Sequence, residues 1–224
     1  SHIIANTTPT MEALENLFGK DFVKNKVSLV YYGIDNLICD SVPEPKKKDN
    51  DIIFISSLRF YKGVNILLYI LSILKEKYNM MPQATIMGMG DNKFDLLQTA
   101  IMLGVNAKFV GGVSNIKKFD IIKNSKIMVQ PHFDEQIGTA VCLEALYCKV
   151  PVVCWDLLIN KERFGDTPRY LEKFDVMGAA EYVKDILENK KVQDLEGGKE
   201  FVAKNRTFTV TAKQINDILK EKVK

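Results

Sequence analysis

Ile127-Met128-Val129-Gln130-Pro131-His132-Phe133-Asp134-Glu135-Gln136-Ile137-Gly138-Thr139-Ala140-Val141-Cys142-Leu143-Glu144-Ala145-Leu146-Tyr147 is followed almost at once by Val150-Pro151-Val152-Val153-Cys154. Both ends of this stretch are continuous apolar runs, with no alternation between a wet and a dry face. Strands buried on both faces read this way, and they belong to parallel sheets whose crossovers are helices. The middle supplies the crossover: a polar turn, then a helix predicted over 139–147. A carboxylate, Glu144, sits inside that apolar helix.

The same unit repeats outward from here. Strands are predicted over 51–56, 84–87, 107–110, 127–130 and 150–154, with helices over 64–77, 93–103 and 116–124 between them. The fold class is therefore α/β, a Rossmann-like doubly wound parallel sheet. Upstream, 3–5 and 27–31 read as strands. Between them a helix opens with Thr8 as cap and Pro9 in its first turn, carries the stripe Met11, Leu14, Leu17, Phe18, and stops at Gly19. The polar, proline-bearing stretch 41–50 reads as a linker. Helices are predicted over 179–188 and 210–221. The expected division is a leftover strand, helix and linker over 1–45, the Rossmann-like domain over 46–205, and a C-terminal helix over 206–224.

Composition narrows the function classes. With 224 residues, a net charge of +3, 46% apolar and 26% charged residues, the chain is an ordinary globular sequence. It is neither a disordered tail nor a disulfide mini-scaffold. The small basic excess argues against a nucleic-acid partner. Lysines cluster at Lys46, Lys47, Lys48 and in the tail at Lys213, Lys220, Lys222 and Lys224; they read as solvated faces or as a weak peripheral contact with an anionic membrane surface. Cys39, Cys142, Cys148 and Cys154 lack a zinc spacing and read as buried reduced thiols, which points to a cytoplasmic location. No metal site is expected, and no apolar run approaches the ~18 residues of a membrane span. The chain opens Ser1-His2 and runs directly into an apolar segment, so its natural start is expected further upstream.

In doubly wound sheets, ligands sit beyond the carboxyl ends of the strands. The candidates in chain order are Ser57-Leu58-Arg59 with Lys62-Gly63, then Gly88-Met89-Gly90, Gly111-Gly112-Val113, and 131–140. Lys62, just before a helix, can hold a phosphate. Gly88 and Gly90 permit close backbone approach, and Gly138, Thr139 and Ala140 would begin a helix whose free N–H groups face the rim. Glu144, in an apolar helix, needs either an internal partner or a ligand hydroxyl. His132 reads as a rim or packing histidine. No Ser-His-Asp order, zinc set or Walker-type loop is present.

These segments resemble the C-terminal, nucleotide-sugar-binding half of a GT-B glycosyltransferase of the retaining family 4, the group 1 glycosyltransferases. The resemblance runs through Ile3-Ile4-Ala5-Asn6-Thr7, Val30-Tyr31-Tyr32-Gly33-Ile34-Asp35, Leu58 with Lys62-Gly63, Gly88-x-Gly90 and Leu103-Gly104-Val105. It continues through Phe109-Val110-Gly111, Val129-Gln130-Pro131, Glu135 to Gly138, Leu143-Glu144-Ala145, Pro151-Val152-Val153 and Phe208. It implies a nucleoside-diphosphate sugar as donor, a hydroxyl acceptor and no metal or other cofactor. Lys62 would neutralise the donor diphosphate; Gly138, Thr139 and Ala140 would offer N–H groups to phosphate and sugar. Glu144 would bind the ribose hydroxyls, Glu135 would touch the donor sugar, and the backbone near Val113 would meet the base. The acceptor site and a catalytic side chain would lie on an N-terminal GT-B domain that this chain does not contain, so the isolated domain is expected to be inactive or weak.

The chain departs from that pattern in three places. The family often places an arginine five residues before the lysine, where this chain has Ser57; Arg59 stands closer and is the expected substitute. Glu135 and Glu144 are nine residues apart rather than eight, so either a residue is inserted after Gly138 or Gln136 replaces the first glutamate. The glycine pair after the next strand is Leu158-Ile159. Two rivals remain from the sequence: a GT-B nucleotide-sugar epimerase, and a non-catalytic module that binds nucleotide sugar or a partner.

Overall fold

A computed structural model describes residues 2–134, 140–191 and 193–222. The chain begins with β1 (Ile3–Ala5), α1 (Thr8–Phe18), α2 (Lys20–Lys26) and β2 (Val27–Leu29), the two strands pairing in parallel. The cap of α1 is Thr7, not Thr8. Thr7 holds extended backbone and its hydroxyl accepts from Thr10 N at 3.2 Å, which leaves Pro9 in the first turn as expected. Gly19, at φ +85°, ends the helix. β2 stops at Leu29 rather than Tyr31, whose ring instead stacks under the Arg206 guanidinium at 4.3 Å.

Next come α3 (Asn36–Ser41), β3 (Asn50–Ile55), a 3₁₀ turn (Phe60–Lys62), α4 (Val64–Tyr78), β4 (Ala84–Met87), α5 (Lys93–Leu103) and β5 (Ala107–Gly111). After these follow α6 (Asn115–Lys123), β6 (Ser125–Gln130), α7 (Val141–Tyr147), β7 (Val152–Trp155), α8 (Leu158–Phe164) and β8 (Arg169–Leu171). The chain closes with α9 (Val176–Leu187), α10 (Leu195–Asn205) and α11 (Phe208–Lys222). The main sheet has six parallel strands in the order β5-β4-β3-β6-β7-β8.

Alternate strand residues feed two cores. Ile52, Phe54, Ile86, Val129 and Val153 face α4, α5 and α9, while Ile53, Ile55, Met128 and Cys154 face α6, α7 and α10. This two-sided burial is what the unalternating apolar runs report. The expected Rossmann-like class is the observed one.

Five elements went unassigned in the sequence: α2, α3, α8, β8 and α10. α10 contains Gly197-Gly198, a pair that lowers helix propensity. Asp194 caps it through Gly197 N at 2.8 Å, and Gly198 lies so close to Leu146 of α7 that a Cβ there would approach it to 3.3 Å. α3 precedes the expected 41–50 linker yet packs on the sheet domain. Ile34, Cys39 and Val42 are buried with Phe119 and Ile122; Cys39 Sγ lies 3.1 Å from Cys148 Sγ; and Tyr147 Oη donates to Asp40 at 2.9 Å. Gly33-Ile34 also pairs with Arg206–Phe208: Ile34 N donates to Arg206 O at 2.8 Å and Phe208 N to Ile34 O at 2.9 Å. All four cysteines are free and buried. No helix among the described residues is long and apolar enough to cross a membrane.

Candidate functional site

β3 sends its chain to one face of the sheet through α4. Its neighbour β6 sends its chain to the other through α7. The two strands form the topological switch point of the sheet, and such sheets bind ligands in a crevice beyond the carboxyl ends at that point. Of the sequence candidates, Ser57, Lys62, Gly88 and Gly90 lie in the loops of this rim.

Three backbone contacts assemble it. Leu58 N donates to Met89 O at 2.9 Å, which lays Ser57 beside the Gly88–Gly90 turn. Gly88 has φ +148°, and a Cβ there would stand 1.7 Å from Ser56 O, so no other residue fits between the two loops. Gly88 N in turn donates to Gly111 O at 2.9 Å, while Gly90 packs on Leu58. On the other side of the crevice, Phe133 N donates to Tyr61 O at 3.1 Å. Gly63, at φ +79°, lies so near Pro131 that a Cβ would stand 2.2 Å from the Pro131 carbonyl oxygen. Residues 61–63 and 131–133 thus run antiparallel, and Lys62 faces His132 across them. Trp155 fixes the second loop by donating its Nε1–H to Pro131 O at 3.0 Å.

Lys62 is only 8% exposed, and its ammonium lies 5.0 Å from the Tyr61 ring centroid. Burial lowers its proton affinity. His132 is fully buried, neither ring nitrogen has a well-aligned hydrogen-bond partner among the described residues, and burial followed by the charge of Lys62, against the Gln130 backbone, pushes its pKa down to about 4. The neighbouring Gln130 is likewise fully buried, with both amide atoms unpartnered among the described residues. A cation and two neutral polar groups therefore share one poorly screened corner.

Glu144 lies in the first turn of α7, where its backbone N–H and that of Leu143 bond to Ala140 O. The carboxylate divides its two oxygens. Oε1 accepts from Lys118 Nζ of α6 at 2.6 Å, and Oε2 is buried without a partner. Burial raises its pKa and the Lys118 pair opposes the rise. Of the two readings of this residue, the internal partner is the one observed: Lys118 takes one oxygen, and the other has no partner among the described residues.

Arg59 is exposed, donates to Tyr61 Oη at 3.2 Å, and lines a cleft of about 240 Å³ beside Asn65, Asn92 and Asp95. Val113 is half-buried and borders a cleft of about 370 Å³ with Val110, Lys117 and Ile121 on the α6 flank. Glu135, Gln136, Gly138 and Thr139 lie outside the described residues. Among the described residues, no cluster of histidine, cysteine or carboxylate groups could hold a metal ion. Two residues were given no role in the sequence, Gln130, which belongs to this corner, and Arg163, one of only four arginines. Gln130 carried a faint signal, being the lone polar residue at the end of an apolar strand.

Comparison with known proteins fits this arrangement. The family model described as glycosyl transferases group 1 matches residues 40–221. No curated protein matches the sequence significantly. Among solved structures, Anabaena HepE in complex with UDP-glucose superposes with a TM-score of 0.82 at 18% identity, over 99% of this chain and 64% of its own. A glycosyltransferase from Rickettsia africae gives 0.81 at 15% identity, over 100% of this chain and 64% of its own. Staphylococcus aureus TarM, in complex with fondaparinux, α-GlcNAc-glycerol and UDP, gives 0.77 at 16% identity, over 96% and 43%. The chain therefore spans less than two thirds of each of these proteins.

Proposed function

Because the chain belongs to the group 1 glycosyltransferases, we propose that it is the donor-binding half of a retaining enzyme that moves a hexose from a nucleoside-diphosphate sugar to a hydroxyl acceptor without a metal. The observation that carries this reading is Glu144: a buried carboxylate with one oxygen fixed by Lys118 and the other unpartnered. An unpaired buried acceptor costs free energy that a ligand hydroxyl recovers, and a ribose offers two adjacent hydroxyls. The loop pairing of 61–63 with 131–133 sets Lys62 on the rim, where the diphosphate would lie. Glycosyl transfer leaves negative charge on that diphosphate. A cation in a poorly screened place stabilises developing charge far better than one in water. UDP-glucose and UDP, bound by HepE and TarM, make uridine the first base to test. An N-terminal GT-B half would supply the acceptor site. The four buried free thiols support a reducing, cytoplasmic compartment, and the exposed Lys46 and Lys47 support weak peripheral contact with an anionic membrane.

Calorimetry with UDP, GDP and ADP tests the reading. At least one should bind, and Glu144→Ala or Lys62→Ala should weaken it about 10- to 100-fold, the loss for a hydrogen bond to a charged group. Binding of none of the three removes the donor site.

A further inference from the structure

Two cations, Lys62 and Arg163, are drawn out of bulk water, yet neither forms an ion pair among the described residues. The other arginines are accounted for. Arg206 stacks on Tyr31 and binds three carbonyls, Arg169 lies over the Tyr182 ring, and Arg59 donates to Tyr61 from an exposed position. Among the described residues, the guanidinium of Arg163 has no such partner. Its backbone, by contrast, is pinned: Arg206 donates Nε–H to Arg163 O at 3.0 Å and a second N–H to Glu162 O at 2.8 Å.

α8 is also tied to the loop that carries His132. Asn160 Nδ2 donates to Trp155 O at 2.9 Å, and Trp155 Nε1 donates to Pro131 O at 3.0 Å. Beside this chain of contacts lie Gln130 and His132, fully buried and without a well-aligned side-chain partner among the described residues, and Asn160 Oδ1, likewise unpartnered among them. The charge of Arg163 reaches both Lys62 and His132. Arg163 follows Asn160 by one turn of α8, so the two share a helix face, and its charge adds to the burial that lowers the proton affinity of Lys62 and of His132.

We propose that Arg163, carried to the Lys62–His132 corner by α8, is the second cation of the donor-diphosphate site, in the role the sequence assigned to Arg59, with Gln130 and His132 as neutral hydrogen-bonding groups behind it. This rests on the donor reading above. A guanidinium presents a planar fork to two phosphate oxygens, whereas the lysine acts as a point charge. A half-buried guanidinium without a counter-ion is unfavourable by itself, and an anion at the rim relieves that cost. Asp134 and Glu162 also lie within electrostatic range of this corner. Its positive character therefore needs both cations.

Calorimetry on the 224-residue chain separates the possibilities, with UDP, GDP and ADP each titrated beside its nucleoside. Arg163→Ala should weaken the bound nucleoside diphosphate about 10- to 100-fold and leave nucleoside affinity unchanged. Arg163→Lys should recover part of the loss, and Arg59→Ala should weaken binding less than Arg163→Ala. Urea unfolding of each variant shows that the protein is folded. Should Arg163→Ala destabilise the fold, Arg163→Gln keeps the stem and removes only the charge. Strong loss in Arg59→Ala with none in the Arg163 variants overturns the proposal while leaving the donor site standing. Equal losses for diphosphate and nucleoside reduce Arg163 to a structural residue. No binding by the unaltered chain overturns the donor reading, and this proposal with it.

Discussion

His132 is neutral because of where it sits. Its ring is fully buried, and the charges of Lys62 and Arg163 both act against its protonation, with Asp134 as the opposing carboxylate. These surroundings hold its pKa at about 4, against 6.5 for a free imidazole. Between those values the unfolded chain binds a proton that the folded chain excludes, so stability present above pH 6.5 is lost as pH falls toward 4. Linkage puts the loss at about 2 kcal/mol between pH 7 and pH 5. Urea unfolding at the two pH values should show this drop in the native sequence and a smaller one in His132→Asn. An identical drop in both would place the titrating group elsewhere.

At the scale of elements, the 131–133 loop depends on β7 as much as on its own strand. Trp155→Phe keeps the aromatic core contact and deletes the Nε1–H bond to Pro131 O, leaving that carbonyl without its donor. The expected cost is about 1–3 kcal/mol, read by urea unfolding. Nucleoside-diphosphate affinity should fall with it, since His132 and the facing Lys62 lose their alignment. Unchanged affinity in a destabilised variant would show that the Tyr61–Phe133 bond holds the loop alone. The same dependence explains what the sequence could and could not reveal. β3, β4, β6 and β7 were legible because burial on both faces leaves an uninterrupted apolar run. α8, β8 and α10 were not: two of them are short, and α10 owes its glycine pair to the close approach of Leu146. Within the site, Lys62 and Glu144 were legible from position and context. The Lys118 partner of Glu144 and the approach of Arg163 were not, because each arises from a contact between elements far apart in the chain.

For the molecule as a whole, burial is uneven. The six-stranded sheet carries two large cores, but the pair β1–β2 is covered by a separate cluster of Ala5, Val23 and Val27. α1 buries no residue at all, and Ile3, Ile4, Leu17 and Phe18 stay exposed. A two-stranded sheet of this kind is marginal in water, and its tie to the rest runs through the Gly33-Ile34 crossing with Arg206–Phe208. Regions with little buried apolar surface open at low free energy, while core strands open only with global unfolding. Hydrogen exchange should therefore release the amides of β1, α1, α2 and β2 first, and protect β3, β4, β6 and β7 longest. Comparable protection in β1 and β6 would show one cooperative unit instead. The apolar residues exposed on β1 and α1 are the surface that the proposed N-terminal half would cover. In a longer chain carrying that half, exchange from β1 to β2 should slow toward the rate of the core strands, and β6 should be little changed. If the extended chain exchanges there as fast as this one, the N-terminal segment is an appendage rather than part of a neighbouring domain.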